Sequence, residues 1–264
     1  LLTEYKDRSL IYLNELTQNI YEACGESFNI NSPKQLGVIL FEKLELASSK
    51  KTKTGYSTDE SVLESLKNEH KVVPLLLKYR EAFKLHSTYI EPLLELGLKD
   101  SENRVFSSFL HTGTTTGRLS SKNPNLQNIP VGAFSDIQIR RAFIAQDGYK
   151  LVGVDYSQIE LRLLAHFSQD KALLEAFRNN LDIHLQTAIK IFGEDEAKDK
   201  RAIAKTINFG LLYGMGSKKL SDTLGISTKE AKTYIDSYFE AFKSVKDYFK
   251  SIEDKAIEKG YVKT

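Results

Sequence analysis

Apolar residues in the first third of the chain recur at intervals of three and four residues, which is the spacing of an amphipathic helix. The run from Leu10 to Ile20 predicts a helix that ends near Gly25. Residues 32–35 combine serine, proline and glutamine in the order of a helix start, and they predict a second helix. A further capping box at residues 57–60 predicts a third.

The helical pattern extends over residues 72–96, with a break or an irregular start expected at Pro74 and a turn at Pro92. It changes over residues 105–144, where short apolar runs alternate with Ser, Thr, Gly, Asn and Pro and predict strands and an ordered loop. The apolar run 151–154 fits a buried strand. Helical patterns return over residues 172–177, 184–192, 201–213, 229–242 and 245–258. We therefore expect a mostly helical α+β fold, with two helical lobes around a small β-containing middle.

Net charge, cysteine content and the length of the apolar runs limit the kinds of binding partner and compartment that this chain is expected to have. Lys+Arg 37 against Asp+Glu 35 gives a net charge of +2, so a polyanion would have to meet a local basic cluster such as residues 48–55. The single Cys24 excludes an internal disulfide and favours a reducing, cytoplasmic setting. The apolar run 72–77 is far shorter than the roughly 18 residues of a membrane span, so we expect no membrane partner. Without an initiator Met, and with a strand pattern interrupted at residues 259–264, both ends are expected to be cut from a longer sequence.

Asp155 follows the predicted strand, where a carboxylate would emerge at the edge of a sheet. A carboxylate there can bind Mg²⁺, which prefers one or two carboxylates together with phosphate and water oxygens. Helix capping is the alternative, because Asp155 with Gln158, or Ser157 with Glu160, has the spacing of a capping box. Spacing alone favours the capping interpretation.

One helical face in the second lobe combines cations with aromatic rings. Its members recur every four residues and are Arg201, Lys205, Phe209 and Tyr213. Cations and rings in one arc could bind a phosphate chain and stack on a planar base. Taken alone, the pattern favours core aromatic residues beside a solvated face over a ligand site. Gly210 and Gly214 weaken the helix and permit close approach or bending.

Residues 112–130 are dense in Thr, Ser, Asn, Gln, Arg and Lys. Such side chains can contact phosphates and minor-groove acceptors, which suits a nucleic-acid partner. The same residue types also form turns, so an ordered loop without a ligand is an equal alternative.

Together these stretches resemble motifs of the family A DNA polymerases, the bacterial DNA polymerase I type. Residues 116–121 with 125–130 are similar to the family's primer-template motif, 155–162 to its motif A and 201–214 to its motif B. The resemblance implies a right-hand architecture with a thumb, a partial palm sheet and fingers helices. Its domains are the thumb over 1–96, where residues 31–36 and 51–58 also resemble the family, part of the palm over 97–166, and the fingers over 167–264.

The resemblance implies template-directed DNA synthesis in replication and repair by two-metal nucleotidyl transfer. Asp155, assisted by the Tyr156 carbonyl, would hold the Mg²⁺ ions as a ligand and not as a proton shuttle. Arg201 and Lys205 would neutralise triphosphate charge, and Lys205 would also protonate the pyrophosphate. His184 would contact the phosphates.

The remaining site residues follow from the same resemblance. Gln158 and Glu160 belong to the nucleotide pocket, where Glu160 blocks a ribose 2′-hydroxyl. Phe209 and Tyr213 flank the nascent base pair, and phenylalanine at 209 implies discrimination against dideoxynucleotides that Phe209→Tyr would change. Contacts to the primer-template would come from Arg118, Gln127 and Asn128 in the minor groove, and from Lys50, Lys51 and Lys53 on phosphates.

The family's third motif, with a His-Asp dipeptide that supplies the second metal ligand, does not occur in this sequence. None of Asp170, Asp182, Asp195 and Asp199 stands in that context, so the 264 residues alone are expected to be inactive. The expected partners are primer-template DNA and deoxynucleoside triphosphates, for a monomer in the bacterial cytoplasm at the nucleoid. One alternative is a truncated, non-catalytic DNA-binding fragment. The other is a single-subunit RNA polymerase, and Glu160 and residues 127–130 disfavour this second alternative.

Overall fold

The computed structural model describes residues 1–47, 51–52, 55–132 and 136–262. The chain forms two compact units, Leu1–Leu151 and Val152–Thr264. Both are mostly helical, and the strands in the described part are short antiparallel pairs, which confirms the predicted fold class. No helix among the described residues is long and apolar enough to cross a membrane.

Local capping signals place the first helices of unit 1. Helix α1 spans Leu2–Cys24 and ends at Gly25, whose φ of 75° lies in the left-handed region that favours glycine. Helix α2, Pro33–Val38, begins after Ser32, whose Oγ accepts a hydrogen bond from the Gln35 backbone N–H at 3.4 Å. The other helical elements of this unit are a π-turn Ile39–Lys43, α3 Glu60–Ser65, α4 Val72–Lys84, a π-turn Leu85–Ile90, α5 Glu91–Gly97 and a 3-10 turn Ile139–Ala142.

The third predicted helix is confirmed as α3 but without its predicted capping box, and the turn predicted at Pro92 is wrong. The helix expected at the capping box 57–60 begins only at Glu60, because the Ser57 hydroxyl accepts a hydrogen bond from the Asp59 backbone N–H at 3.3 Å and forms a local turn instead. No turn occurs at Pro92, because the π-turn Leu85–Ile90 directly before it widens the helix and accommodates a residue without an N–H.

The strands among the described residues form two short pairs, both within unit 1. Strand β1, Lys51–Thr52, pairs with β2, Gly55–Tyr56, and β3, Ser108–Leu110, pairs with β4, Ser120–Lys122. The strand predicted at residues 151–154 is not formed, and this prediction is wrong for the described chain. A strand exists only where a neighbouring strand satisfies its N–H and C=O groups, and no described segment pairs with this run.

The buried hydrophobic side chains described in unit 1 form two clusters. The larger joins α1 to α4 through the fully buried Ile20, Leu36 and Leu76. The smaller packs Ile90 of the helical segment against Ile129, which follows β4. That packing holds the loop after β4, residues 125–130, against the helix.

A buried histidine, His86, links α1 to the π-turn Leu85–Ile90. The Ser9 hydroxyl donates to the Lys6 carbonyl at 2.8 Å, so its contact with His86 Nδ1 at 2.8 Å is one in which the imidazole donates. Burial lowers the pKa of His86, against the attraction of Glu91. The folded state therefore binds protons less readily than the unfolded state.

The free energy of unfolding is therefore expected to fall when the pH drops below about 6.5, the ordinary histidine pKa. Above that pH the contribution of the neutral His86 is fully present. One histidine contributes at most about 1.4 kcal/mol per pH unit. Urea unfolding from pH 7.5 to 5, followed by circular dichroism, measures the slope. His86→Gln cannot titrate, so its slope should be smaller, and an unchanged slope would contradict the assignment.

Unit 2 is a cluster of eight helices within the described residues. They are α6 Ile159–Ser168, α7 Lys171–Arg178, α8 Ile183–Phe192, α9 Glu194–Ala197, α10 Arg201–Leu212, α11 Ser217–Leu224, α12 Thr228–Ala241 and α13 Lys243–Lys259. The five predicted helical patterns of this region are confirmed as α7, α8, α10, α12 and α13. Helix α10 packs against α6, α8, α11 and α12, so one side of it is buried and the other is exposed.

Candidate functional site

The exposed side of α10 carries the predicted cation and aromatic face. Arg201 and Lys205 are exposed, Phe209 is half-buried, and Tyr213 is 64% exposed, which excludes a core role for Tyr213. Lys205, Phe209 and Tyr213 line a pocket of ≈ 480 Å³. Its other lining residues are Thr206, Gly210, Met215 and Lys219. The exposed side of α10 therefore forms a pocket that two aromatic rings and two lysines, Lys205 and Lys219, line.

Asp182 joins the start of α8 to the start of α10. Its Oδ1 accepts hydrogen bonds from the backbone N–H groups of His184 and Leu185 at 3.0 and 3.1 Å, and its Oδ2 accepts one from Arg201 Nε at 2.6 Å. Partial burial works to raise the pKa of Asp182, but the bonds from Arg201 and the backbone outweigh it and the net shift is downward. The carboxylate thus caps α8 and holds the Arg201 guanidinium.

Asp182→Ala is expected to lower the free energy of unfolding by about 1 kcal/mol, because it removes the N-cap acceptor of α8. Asp182→Asn keeps an acceptor at the cap, so it should retain most of that free energy although the charge beside Arg201 is lost. Urea unfolding of the two variants separates these effects. An equal loss in both would show that the ion pair, and not the cap, carries the contribution.

His184 lies directly under the α10 face and is only 3% exposed. Its ring is 5.6 Å from that of Phe209 and tilted by 50°. Burial lowers the pKa of His184, Asp182 works against that shift, and the cations Arg201 and Lys205 add to it. These influences favour the neutral imidazole at neutral pH.

Glu160 and Tyr213 are brought together by the packing of α6 and α10. The Tyr213 hydroxyl donates to Glu160 Oε1 at 3.4 Å. Neither capping box predicted near the start of α6 is formed, since its N-cap residue is Gln158, with φ 53° and no side-chain cap hydrogen bond. Glu160 instead extends toward the aromatic end of α10.

Asp155 and Tyr156 precede α6 and are both exposed. Among the described residues of unit 2, no group forms a hydrogen bond or ion pair with the Asp155 carboxylate. No group of three or more His, Cys, Asp or Glu side chains that could hold a metal ion is found in the described part of the chain. The carboxylate is therefore open to an external ligand.

The predicted DNA-contacting loop lies in unit 1. The buried Ser121 hydroxyl accepts hydrogen bonds from the backbone N–H groups of Leu126 and Gln127 at 3.0 and 3.3 Å and bonds Asn125 Oδ1 at 2.9 Å. This folds residues 125–130 over β4 and leaves Gln127 and Asn128 exposed. The loop is thus ordered by its own polar side chains.

A groove of ≈ 1140 Å³ runs beside this loop and is lined by Gln127 and Asn128 together with Lys84 and Arg140. The Arg140 guanidinium donates to the Ile129 carbonyl at 2.9 Å and fixes the loop's end. Arg118 is exposed before β4. Of the basic cluster, Lys50 and Lys53 lie outside the described residues, and for Lys51 only the backbone in β1 is described.

A sequence model of DNA polymerase family A matches residues 1–264, which is the whole chain. The chain belongs to DNA polymerase family A. DNA polymerase I of Helicobacter pylori strain J99 is 54% identical over 247 residues, which are 93% of this chain and 27% of that protein. DNA polymerase I of Bacillus subtilis strain 168 is 50% identical over 256 residues, 96% of this chain and 29% of that protein.

A solved structure agrees with the family assignment. The POL domain of Pol1 from M. smegmatis, in complex with DNA primer-template and dNTP, matches with a TM-score of 0.88 at 38% identity, over 100% of this chain and 47% of that chain. This confirms the resemblance found in the motifs and the mostly helical polymerase-domain fold. The chain spans less than a third of the length of these two curated family A relatives.

Sequence reasoning did not predict three residues that contact His184, Arg201 or each other beneath α10: Asp182, Thr187 and Asn208. Asp182 directly precedes the apolar start of α8, which is an N-cap signal. Asn208 lies in the buried arc of α10 that also contains Ala204 and Leu211, so a polar residue interrupts an apolar face. Such an interruption indicates a buried hydrogen-bonding partner.

Proposed function

We propose that the chain is part of a DNA-directed DNA polymerase that adds deoxynucleoside triphosphates to a primer 3′-hydroxyl on a DNA template, in replication and repair. The observation that carries the proposal is the α10 face, where Arg201, Lys205 and Tyr213 are exposed beside His184 in a chain matched over its full length by family A. A fragment that only binds DNA has no use for that face. The relatives named DNA polymerase I, and the neighbour solved with primer-template and dNTP, support the same function.

The side chains of unit 2 divide the work of binding a nucleotide. Arg201, held by Asp182, and Lys205 bind the triphosphate and stabilise its charge during transfer. Phe209 and Tyr213 stack against the nascent base pair in the pocket. Lys205 would also donate a proton to the leaving pyrophosphate, because its ammonium group would contact the same phosphates.

The Asp155 carboxylate fits a magnesium site, because it is exposed and no described group of unit 2 engages it. The Tyr156 carbonyl would be the second oxygen ligand from this chain, in line with the few protein ligands that Mg²⁺ accepts. Two bound Mg²⁺ ions would activate the attacking hydroxyl and stabilise the leaving group. The Gln158 side chain, at the start of α6, would contact the nucleotide.

Primer-template DNA is the proposed partner of unit 1. Gln127, Asn128 and Arg118 read minor-groove acceptors, whose pattern depends little on sequence, as copying requires. Lys50, Lys51 and Lys53 contact phosphates. We further propose the division into thumb 1–96, palm 97–166 and fingers 167–264, for a monomer that works in the bacterial cytoplasm.

Formation of a ternary complex tests this function without relying on chemistry. Fluorescence anisotropy with a labelled primer-template ending in a dideoxynucleotide should show binding that weakens steeply with salt. The next complementary deoxynucleoside triphosphate, added with Mg²⁺, should tighten binding about tenfold, and the three others should not. Binding without any preference for the complementary nucleotide would support the DNA-binding fragment instead.

Glu160→Ala is expected to raise the use of ribonucleotides relative to deoxyribonucleotides by about tenfold or more, because the side chain held by Tyr213 would no longer occupy the space of a 2′-hydroxyl. Steady-state incorporation of matched ribo- and deoxyribonucleotides by the natural protein that carries this sequence measures the ratio. Glu175→Ala, an exposed carboxylate on α7, is the matched control. An unchanged ratio in Glu160→Ala would contradict the role of Glu160.

A further inference from the structure

Three buried polar side chains lie beneath the α10 face and bond to one another. Thr187 and Asn208 are 0% exposed and His184 is 3% exposed. Asn208 Nδ2 lies 3.0 Å from Thr187 Oγ1 and 3.1 Å from His184 Nδ1. Buried polar groups in such a hydrogen-bond network constrain each other's proton positions, because each hydrogen can form only one short hydrogen bond well.

The direction of the bonds follows from Thr187. Its hydroxyl donates to the Ile183 carbonyl at 2.8 Å, and this bond uses its one hydrogen. Thr187 Oγ1 also lies 3.2 Å from Asn208 Oδ1, but the shorter bond to the carbonyl has the better claim on that hydrogen. Thr187 Oγ1 is left as an acceptor, so the amide NH₂ of Asn208 must face it.

The second amide hydrogen of Asn208 then points to His184 Nδ1. A ring nitrogen that accepts a hydrogen bond carries a lone pair, so the proton of the neutral imidazole is on Nε2. Among the described residues, the one side-chain hydrogen bond of the His184 ring uses Nδ1. Since no fully buried side-chain nitrogen among the described residues lacks a partner, Nε2 has access to the surface. Asp182, Arg201 and Lys205 all act on the pKa of His184, so these three charges lie near its ring.

We propose that Asn208, oriented by Thr187, is a positioning residue that holds His184 as the Nε2–H tautomer, so that the imidazole donates a hydrogen bond to a phosphate oxygen of the bound nucleotide. This deepens the proposed function and rests on it for the identity of the ligand. The opposite tautomer would direct a lone pair at an anionic oxygen and repel it. A neutral donor also avoids placing a third positive charge beside Arg201 and Lys205, where it would be repelled and would hold the leaving pyrophosphate more tightly.

Nitrogen NMR of the imidazole rings tests the tautomer directly and without nucleotide. The chain has five histidines, and His184→Gln identifies the signals of His184. At pH 7.5 we expect a proton on Nε2 and a lone pair on Nδ1. His86 is an internal reference, because its Nδ1 donates to Ser9 and its ring should show the opposite tautomer.

Two variants test whether Asn208 and Thr187 determine the tautomer of His184. Asn208→Leu removes the donor at similar volume, and Thr187→Val, the milder change, frees the Asn208 amide to turn. Each should shift His184 toward a mixture of tautomers and weaken binding of a complementary deoxynucleoside triphosphate to the primer-template complex about tenfold. Ser221→Ala removes another buried hydroxyl of unit 2, outside the site, and should change neither quantity.

The outcomes separate this inference from the proposed function. A wild-type His184 that carries its proton on Nδ1, or is doubly protonated, overturns the inference, as does an Nε2–H tautomer that persists in both variants. An Nε2–H tautomer lost in the variants supports the positioning role of Asn208. If the tautomer behaves as expected but no triphosphate binds to the wild-type complex, the proposed function fails and the proton assignment stands.

Discussion

Asp155→Asn in the natural protein that carries this sequence is expected to slow nucleotide addition about a thousandfold, roughly 4 kcal/mol of transition-state stabilisation. Asparagine has the same shape but lacks the charge that a Mg²⁺ ligand supplies. Because no described group of unit 2 engages the carboxylate, the substitution should leave the fold and DNA binding nearly unchanged. Single-turnover primer extension at saturating DNA and nucleotide measures the rate.

Asp199→Asn is the matched control for this prediction. Asp199 is also an exposed carboxylate of unit 2, and it lies outside the proposed site. Its variant should extend primers at the wild-type rate. A wild-type rate in Asp155→Asn would show that the carboxylate holds no catalytic metal, and unfolding of that variant would show that Asp155 has a structural partner.

Lys205→Gln is expected to lower kcat/KM for deoxynucleoside triphosphates about a hundredfold. Lys205 is exposed on the α10 face, and no described carboxylate of unit 2 pairs with it, so its charge is available to a ligand. Loss of the charge should act on kcat/KM more than on primer-template affinity, because the phosphates belong to the nucleotide. Steady-state extension at varied nucleotide concentration provides kcat/KM, and fluorescence anisotropy with a labelled primer-template provides the DNA affinity.

Lys198→Gln tests the alternative that such lysines are merely solvated. Lys198 is exposed just before α10 and is not one of the four residues of the predicted face. Its variant should retain the wild-type kcat/KM. Equal effects of the two substitutions would indicate a general loss of positive charge, and no effect in Lys205→Gln would assign Lys205 to a solvated face.

The helices were predictable because their signals are local. The N-cap Ser32 and the left-handed Gly25 act within one turn, and the apolar spacing of α10 already separates its buried from its exposed side. Features that depend on a partner distant in sequence were not predictable in this way. The run 151–154 has the composition of a strand, but composition cannot supply the neighbouring strand that it needs.

In the candidate site, too, groupings within one helix could be predicted from the sequence, whereas contacts between helices could not. Residues on one helix, such as Arg201 and Lys205, could be grouped from their spacing. The contact between Glu160 and Tyr213 joins α6 to α10, and spacing near Glu160 suggested a cap that is not formed. The bond between Asn208 and His184 joins two helices whose register only packing decides.

Single-nucleotide primer extension by the natural protein that carries this sequence tests the central claim most directly. Four primer-templates that differ only in the next template base would be incubated with Mg²⁺ and each deoxynucleoside triphosphate in turn, after DNA binding has been verified. We predict extension by the complementary nucleotide on each template and none without Mg²⁺. Verified binding without extension on any template, or extension that ignores the template base, would contradict the account.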